Sequence, residues 1–273
     1  MLTKQLRDIE QLQKEVEHYD GLELKLNWEM LRARESDGLD FFHYENEVLI
    51  AFIGLYGFGT TVEATGMVKP DERRKGHFTK LFEEAMDAAL KHGYKKILLN
   101  APAGSLSAKE FLKDQGAIYQ FSEHQMKWKP QFLEGSTGFE LRPANHNDME
   151  MRIRLDVEAF GMSEEDASAS ETRRDGDENS KMLMIVVNQE TIGKIRLENE
   201  NGQAWIYGFS ILPEHQGKGI GRNVLRQVVK QQHESGNSIY LDVETKNAQA
   251  LGLYEEIGFE IVHAQDYYTY KKQ

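Results

Sequence analysis

Apolar and polar positions trace one order of elements twice along the chain. In the first half, Phe41–Tyr44, Val48–Tyr56 and Thr61–Val68 are rich in β-branched and aromatic residues. Punctuated by Gly57 and Gly59, they predict three consecutive strands. Pro70 follows. Leu81, Phe82, Ala85, Met86 and Ala89 then recur at helical spacing, so a helix is expected from Phe78 to His92, stopped by Gly93. Ile97–Leu99 reads as a short buried strand, and Ala108–Gln115 as a second helix ended by Gly116.

The second half repeats that order. Met182–Val187, Thr191–Leu197 and Ala204–Leu212 are expected strands, with Asn188, Gln189 and Glu190 joining the first two. After Pro213 a helix is expected from Ile220 to His233, with Val224, Leu225, Val228 and Val229 on one face and Gly236 at its end. Ser238–Val243 reads as a strand, Ala248–Ile257 as a helix stopped by Gly258, and Tyr267–Tyr270 as a closing strand. Pro70–Phe82 lies against Pro213–Leu225 without a gap, self-similarity that argues for two domains of one fold. Lys129–Thr137, with its Pro, Gly and Ser, is the expected joint, giving domains 1–134 and 135–273. Each copy mixes three antiparallel strands with a strand–helix–strand crossover. The fold class is therefore α+β, a mixed antiparallel and parallel sheet flanked by helices. Ser163–Ser180, acidic and poor in apolar residues, reads as a flap or a polar helix, the ordinary form of a solvated face.

Composition narrows the function. Hydrophobic residues make up 40% of the 273, enough for real cores. The absence of cysteine removes a disulfide framework, a thiolate metal site and a cysteine nucleophile together. Met1–Asp20 is a polar helix rather than a signal peptide, and no apolar run approaches the ~18 residues of a membrane span. A soluble cytoplasmic protein is expected, with no membrane partner. A net charge of −12 would repel the phosphates of nucleic acids and suit a cationic partner, although acidity also serves solubility alone. The nine histidines show no metal-binding spacing, so no metal is expected.

The chemistry concentrates between Leu212 and Arg222, where a strand gives way to a glycine-rich turn and then a helix. Such a turn points backbone N–H groups at one spot beside the positive end of a helix, which suits a phosphate, and Lys218 and Arg222 can add charge. Gly217, Gly219 and Gly221 alternate evenly, so the spacing fits neither the dinucleotide fingerprint nor the P-loop. Gln216-x-x-Gly219-x-Gly221 resembles the Q/R-x-x-G-x-G/A motif of the GNAT superfamily of N-acetyltransferases. Asn247-x-x-Ala250-x-x-Leu253-Tyr254-x-x-x-Gly258-Phe259 resembles a second block of that family at every fixed position. The resemblance covers nearly the whole second half, with a weaker copy in the first.

That resemblance implies acetyl-CoA held where two strands splay apart. The backbone of Phe209, Ser210 and Ile211 would pair with the pantetheine arm, the amides of Gly217, Lys218, Gly219, Ile220, Gly221 and Arg222 would hold the diphosphate, and Asn247 would contact the cofactor. Tyr254 resembles the family's proton donor to the departing thiolate. Its helical spacing with Ala250, Leu253 and Ile257 also fits a core residue. Asp242 stands where some relatives carry a glutamate base; it shares a strand face with Glu244 and reads equally as a solvated edge carboxylate. In the first half Arg73-x-x-Gly76 is kept. Phe78 replaces the last small residue and should crowd a phosphate, and Leu112, Ala117 and Ser105 replace the tyrosine, phenylalanine and asparagine. The N-terminal copy therefore reads as a degenerate domain that buttresses the active one or walls its acceptor pocket. The expected activity is transfer of an acetyl group to a primary amine of a small molecule or peptide by direct attack in a ternary complex, with a cationic acceptor suited to the acidic segment. The alternative is a non-catalytic acetyl-CoA sensor or scaffold.

Overall fold

The computed structural model describes residues 3–34, 38–175 and 180–271. Along the chain the elements are α1 (Thr3–Asp20), α2 (Trp28–Arg32), β1 (Asp40–Glu45), β2 (Val48–Phe58), β3 (Thr61–Val68), α3 (His77–Lys91), β4 (Lys96–Pro102), α4 (Leu106–Asp114) and β5 (Ile118–Trp128). The second series is β6 (Glu140–Pro143), α5 (Met149–Phe160), α6 (Glu164–Arg174), β7 (Ser180–Val187), β8 (Glu190–Glu200), β9 (Gln203–Ile211), α7 (Ile220–Glu234), β10 (Ser238–Glu244), α8 (Ala248–Ile257) and β11 (Phe259–Tyr270). The hairpin between β7 and β8 turns on Asn188 and Gln189, both at positive φ (50° and 69°), the conformation a tight two-residue hairpin demands.

Two compact units emerge, and they interleave in sequence. Unit 1 joins Met1–Ser122 to His263–Gln273, and unit 2 is Glu123–Val262. In unit 1, β1, β2 and β3 are antiparallel, β3 and β4 are parallel across α3, and Gln265–Tyr270 of β11 closes the sheet against β4. In unit 2, β6 to β9 are antiparallel, β9 and β10 are parallel across α7, and Glu123–Lys127 of β5 closes the sheet against β10. Tyr267–Tyr270 thus closes the sheet of unit 1, although it follows the second repeat in sequence. The irregular segment from Lys129 to Thr137 lies inside unit 2, where Gln131 donates to the Ile257 carbonyl (2.7 Å).

Each sheet buries both faces. In unit 1, α3 and α4 cover a core of Ile53, Leu55, Val62, Leu81, Phe82, Met86 and Leu99, while α1 lays Ile9, Leu12 and Val16 on Phe52, Tyr56 and Met67. In unit 2, α7 and α8 cover Ile206, Val224, Leu225, Val228, Leu241 and Ile257. Under α5 the apolar cluster shrinks to Leu155, Met184 and Leu212.

Charged side chains fill the rest of that layer. Lys194 of β8 is 1% exposed and holds Asp156 Oδ1 and Glu171 Oε1, each at 2.7 Å. Arg152 grips Glu171 from the other side at 2.6 Å. The acidic segment is thus the polar helix expected, solvated along one face and buried along the other at Ala167, Ser170 and Glu171. Ser163 caps α6 through the Asp166 amide, Glu164 to Asp166 sit at the positive end of that helix, and Glu171 is fully buried. Residues 176–179 of the segment lie outside the described residues.

Candidate active site

The parallel pairing of β9 with β10 stops at Ile206 and Leu241, although β9 runs on to Ile211 and β10 to Glu244. Beyond that point the strands splay, and backbone polar groups on their inner edges lose their sheet partners. On its other edge, the register of β9 with β8 shifts between Lys194 and Arg196, and Gly208 takes a positive φ of 52°. This is a β-bulge, a device that re-aims a strand. Leu212 N–H donates to Ile192 at 2.9 Å, so ladder alternation turns the N–H and C=O of Ile211 away from β8 and into the splay. The Gln216 amide takes that carbonyl at 2.8 Å, tying the strand end to the turn. Gln216 is thus joined to the end of β9 that carries Phe209, Ser210 and Ile211.

The turn itself is open. Gly217 and Gly219 have φ of 71° and 76°, and a Cβ on either would meet no atom within 4 Å. Gly219 is the N-cap of α7 and supplies no side-chain acceptor, unlike Asn247 on α8, Ser105 on α4 and Ser163 on α6. Those side chains consume amides; a glycine cap leaves them for an outside acceptor. Among the described residues, the amides of 217–219 have no acceptor within the chain. Lys218 reaches back to the Glu214 carbonyl (2.8 Å), and Arg222 pairs with Glu256 (2.7 Å), both at the surface. Gly221 faces inward, its Cβ position 3.4 Å from Ile211, 3.6 Å from Phe209 and 3.9 Å from Leu253. β9, α7 and α8 meet around this position.

Tyr254, next to Leu253, is 9% exposed and packs edge-on to Phe259 with ring centroids 6.0 Å apart. Burial pushes its hydroxyl up to about 12, so it stays protonated at neutral pH. The side chain is a core residue that keeps its proton at neutral pH. Asn247 spends its side-chain oxygen on the Ala250 amide (3.1 Å), which leaves its amide nitrogen for other partners. Asp242 is half-buried opposite Gln125 of β5. On the same sheet face stand Trp205 and Tyr240, register partners whose rings stack at 5.1 Å, and Tyr207 beside them.

Sequence reasoning missed the buried charges beneath this face. Burial pushes Asp156 up to about 6, Lys194 opposes the shift and the Glu171 charge adds to it. Burial alone would raise Glu171 too, but Lys194 and Arg152 outweigh it and hold it down at about 2. The one signal available was a lysine among apolar residues in a predicted strand.

The turn recurs in unit 1 with Gly76 (φ 87°) capping α3 and Arg74 (φ 63°) in the place of Gly217. Here β3 and β4 part after Ala64 and Leu99, but β3 keeps unbroken register with β2 and has no bulge. The segment from Ala64 to Lys69 is one residue shorter than that from Ile206 to Leu212. Phe78 does not crowd the turn as the sequence implies. Its ring swings inward, filling the space a Cβ on Gly66 would need (2.7 Å) and meeting Phe111 edge-on at 5.0 Å. Phe209 and Gly221 make the same large–small contact in unit 2 with the partners reversed. A cavity of about 350 Å³ remains at the unit 1 splay, lined by Thr65, Arg73, Phe78, Asn100 and Phe111 among others. Arg73, at the place of Gln216, is clamped by Asp20 of α1 at 2.8 and 2.6 Å.

A splayed strand pair beside an anion-receptive helix start, built twice in one chain, defines a tandem acyltransferase fold. The chain belongs to the acetyltransferase (GNAT) family, whose family model matches residues 3–117 and 149–259. It is 26% identical over 241 residues to a mycothiol acetyltransferase of Brachybacterium faecium, covering 79% of this chain and 69% of that protein. A spermine/spermidine N(1)-acetyltransferase of Bacillus subtilis is 34% identical over 65 residues, 23% of this chain and 43% of that protein. The crystal structure of a GCN5-related N-acetyltransferase from Sphaerobacter thermophilus superposes with a TM-score of 0.79 at 19% identity, covering 98% of this chain and 93% of that one. Among the described residues, no helix is long and apolar enough to cross a membrane.

Proposed function

We propose that unit 2 transfers the acetyl group of acetyl-CoA to a primary amine by direct attack in a ternary complex. The observation that carries this is the turn from Gly217 to Arg222: exposed, glycine-capped, and with amides lacking a partner in the chain, it offers an anion the donors that a diphosphate needs. In this reading Phe209 and Ile211 offer backbone groups to an extended arm in the splay, and Asn247 offers its side-chain nitrogen.

The neutral amine attacks the thioester carbonyl carbon, the C–S bond breaks, and the Tyr254 hydroxyl gives its proton to the departing sulfur while the ammonium product sheds one. A hydroxyl held protonated well above neutral pH suits that task. The proton lost by the amine passes toward Asp242, directly or through water. Trp205, Tyr207, Tyr240 and Asp242 form the acceptor wall in this proposal. The carboxylate of Asp242 favours a cationic amine of the polyamine kind, the acceptor type named in the Bacillus subtilis relative. Unit 1, with Leu112 at the place of Tyr254, serves as a non-catalytic domain.

The test is an amine-dependent thiol-release assay over polyamines, peptide N-termini and neutral amines, run on wild type and Gly219→Ala. An added methyl there meets no protein atom but strains the left-handed backbone (φ 76°), and Gly76→Ala, with the same strain in unit 1, serves as the control. The KM for acetyl-CoA should rise about tenfold, roughly 1.4 kcal/mol. Unchanged KM, or no turnover with any amine, sinks the proposal.

A further inference from the structure

We propose that unit 1 carries a binding site for a divalent transition metal, with zinc the best match, formed by His43, Glu45 and His77. The ligand atoms of these three side chains all lie within 4.8 Å of one another. They come from separate elements. His43 and Glu45 belong to β1, whose register with β2 shifts between His43 and Tyr44, and His77 is the first residue of α3, directly after the glycine cap. Sequence spacing finds no metal motif here because the second imidazole arrives from another element.

The distances leave room for a metal ion among the three side chains. A charge-assisted imidazole–carboxylate hydrogen bond closes to ~2.7–2.9 Å. Here His43 Nε2 stands 3.4 Å from Glu45 Oε1, and His77 Nε2 stands 3.6 Å from the same oxygen. Bonds of ~2.0–2.1 Å at tetrahedral angles would place ligand atoms roughly 3.4 Å apart around a zinc ion. The two distances to Glu45 Oε1 are thus compatible with ligands around one cation, and without an ion His43 and Glu45 share a long hydrogen bond of 3.4 Å. The His43 and His77 rings lie side by side, 4.5 Å between centroids and 26° between planes.

His77 supplies an independent sign. Its Nε2 is buried and has no hydrogen-bond partner, although water can reach Glu45 beside it. A buried imidazole nitrogen without a partner forfeits on the order of 1–3 kcal/mol, and a metal ion would supply the missing partner. Glu72 Oε2 lies 3.7 Å from the same nitrogen, bonded to Lys75 at 2.7 Å, and stands ready as a fourth or outer ligand. Two imidazoles and a carboxylate favour zinc, cobalt, nickel or copper over magnesium and calcium, which prefer all-oxygen shells. Bound there, the ion would clip the bulge of β1 to the start of α3, at the rim of the unit 1 cavity. The role is structural and independent of the transferase chemistry of unit 2.

The experiment uses the full chain without a histidine tag, stripped with EDTA. Zinc is titrated by calorimetry, and cobalt by visible absorption, which reports nitrogen and oxygen ligands in a tetrahedral field. Expected are one equivalent of zinc per chain, a cobalt spectrum of tetrahedral type, and a zinc-dependent rise in melting temperature. Each of His43→Ala and His77→Ala should weaken binding at least 100-fold, beyond the 10–100-fold typical of outer-shell changes. Glu45→Gln, at the exposed end of a strand, should weaken binding at least tenfold while its melting temperature in EDTA matches wild type. His233→Ala, in unit 2, should bind as wild type does. No stoichiometric binding by wild type, or binding that survives in the His43→Ala/His77→Ala double variant, overturns the proposal.

Discussion

Beneath α1 of unit 1 the sheet is covered by Ile9, Leu12, Val16, Phe52, Tyr56 and Met67; beneath α5 and α6 of unit 2 the matching layer holds Arg152, Asp156, Glu171 and Lys194. In unit 1 the layer under α1 is apolar, and its ion pairs, Lys69–Glu15 and Arg73–Asp20, stand at the edges of the helix where water reaches them. Burying four charges is costly by comparison, since each must be stripped of water and repaid by close partners. The turns differ in the same direction. Arg73 is locked to α1 by Asp20, whereas Gln216 braces a strand end that bulges and opens. Unit 1 keeps a buried ion pair, Arg34–Asp40, beside the Tyr56 ring, whereas unit 2 builds a network of four charges into its layer.

Four measurements would break or sharpen that contrast. Glu171→Ala leaves Lys194 and Arg152 buried without their shared anion and should cost about 3–5 kcal/mol of stability, read from urea unfolding. Leu12→Ala under α1 leaves only a cavity and should cost about 2–4 kcal/mol. A loss below 1 kcal/mol for Glu171→Ala would mean that the charges are not truly dry. Next in size, Tyr254→Phe should lower kcat about 100-fold with acetyl-CoA affinity kept within twofold. Half of the activity remaining would place a second working site in unit 1.

The third measurement is the pH dependence of stability. Asp156 is raised to about 6 from an ordinary value of 3.8, so the folded state holds a proton there that the unfolded chain has released. Stability from this group is full below pH 4, declines as pH climbs to about 6, and is flat beyond. Glu171 acts oppositely, contributing above 4.5 and losing its contribution as pH falls toward 2. Asp156→Asn should abolish the decline between pH 4 and 6, on the order of 3 kcal/mol in unfolding free energy. An identical slope in the variant would assign the proton elsewhere. Smallest of all, Gly76→Ala should cost roughly 1 kcal/mol through its left-handed backbone, as Gly219→Ala does, yet leave the KM for acetyl-CoA unchanged. A raised KM would make unit 1 part of the site.

Much of the fold was legible in one dimension. Thr61–Val68 and Ala248–Ile257 run as expected, and α3 and α7 differ from expectation by a residue at their ends. Periodicity failed where burial is not apolar. The helix α5 was overlooked because Arg152 and Asp156 occupy positions that a pattern search assigns to solvent. The strand β5, with Glu123, His124 and Lys127 among its residues, lacks the apolar run of its neighbours and was overlooked too. Phe78 was read as an obstruction because its compensation, Gly66, lies on another strand.

The sequence by itself determined the two repeats, the mixed sheet, and the glycine turn with its neighbouring Tyr254, since each rests on local backbone preference and short-range spacing. The tertiary structure alone decided which strand closes which sheet, where Lys194 finds its carboxylates, and that His43 meets His77. Those outcomes depend on side chains distant in sequence competing for the same dry volume, and no local pattern records that competition.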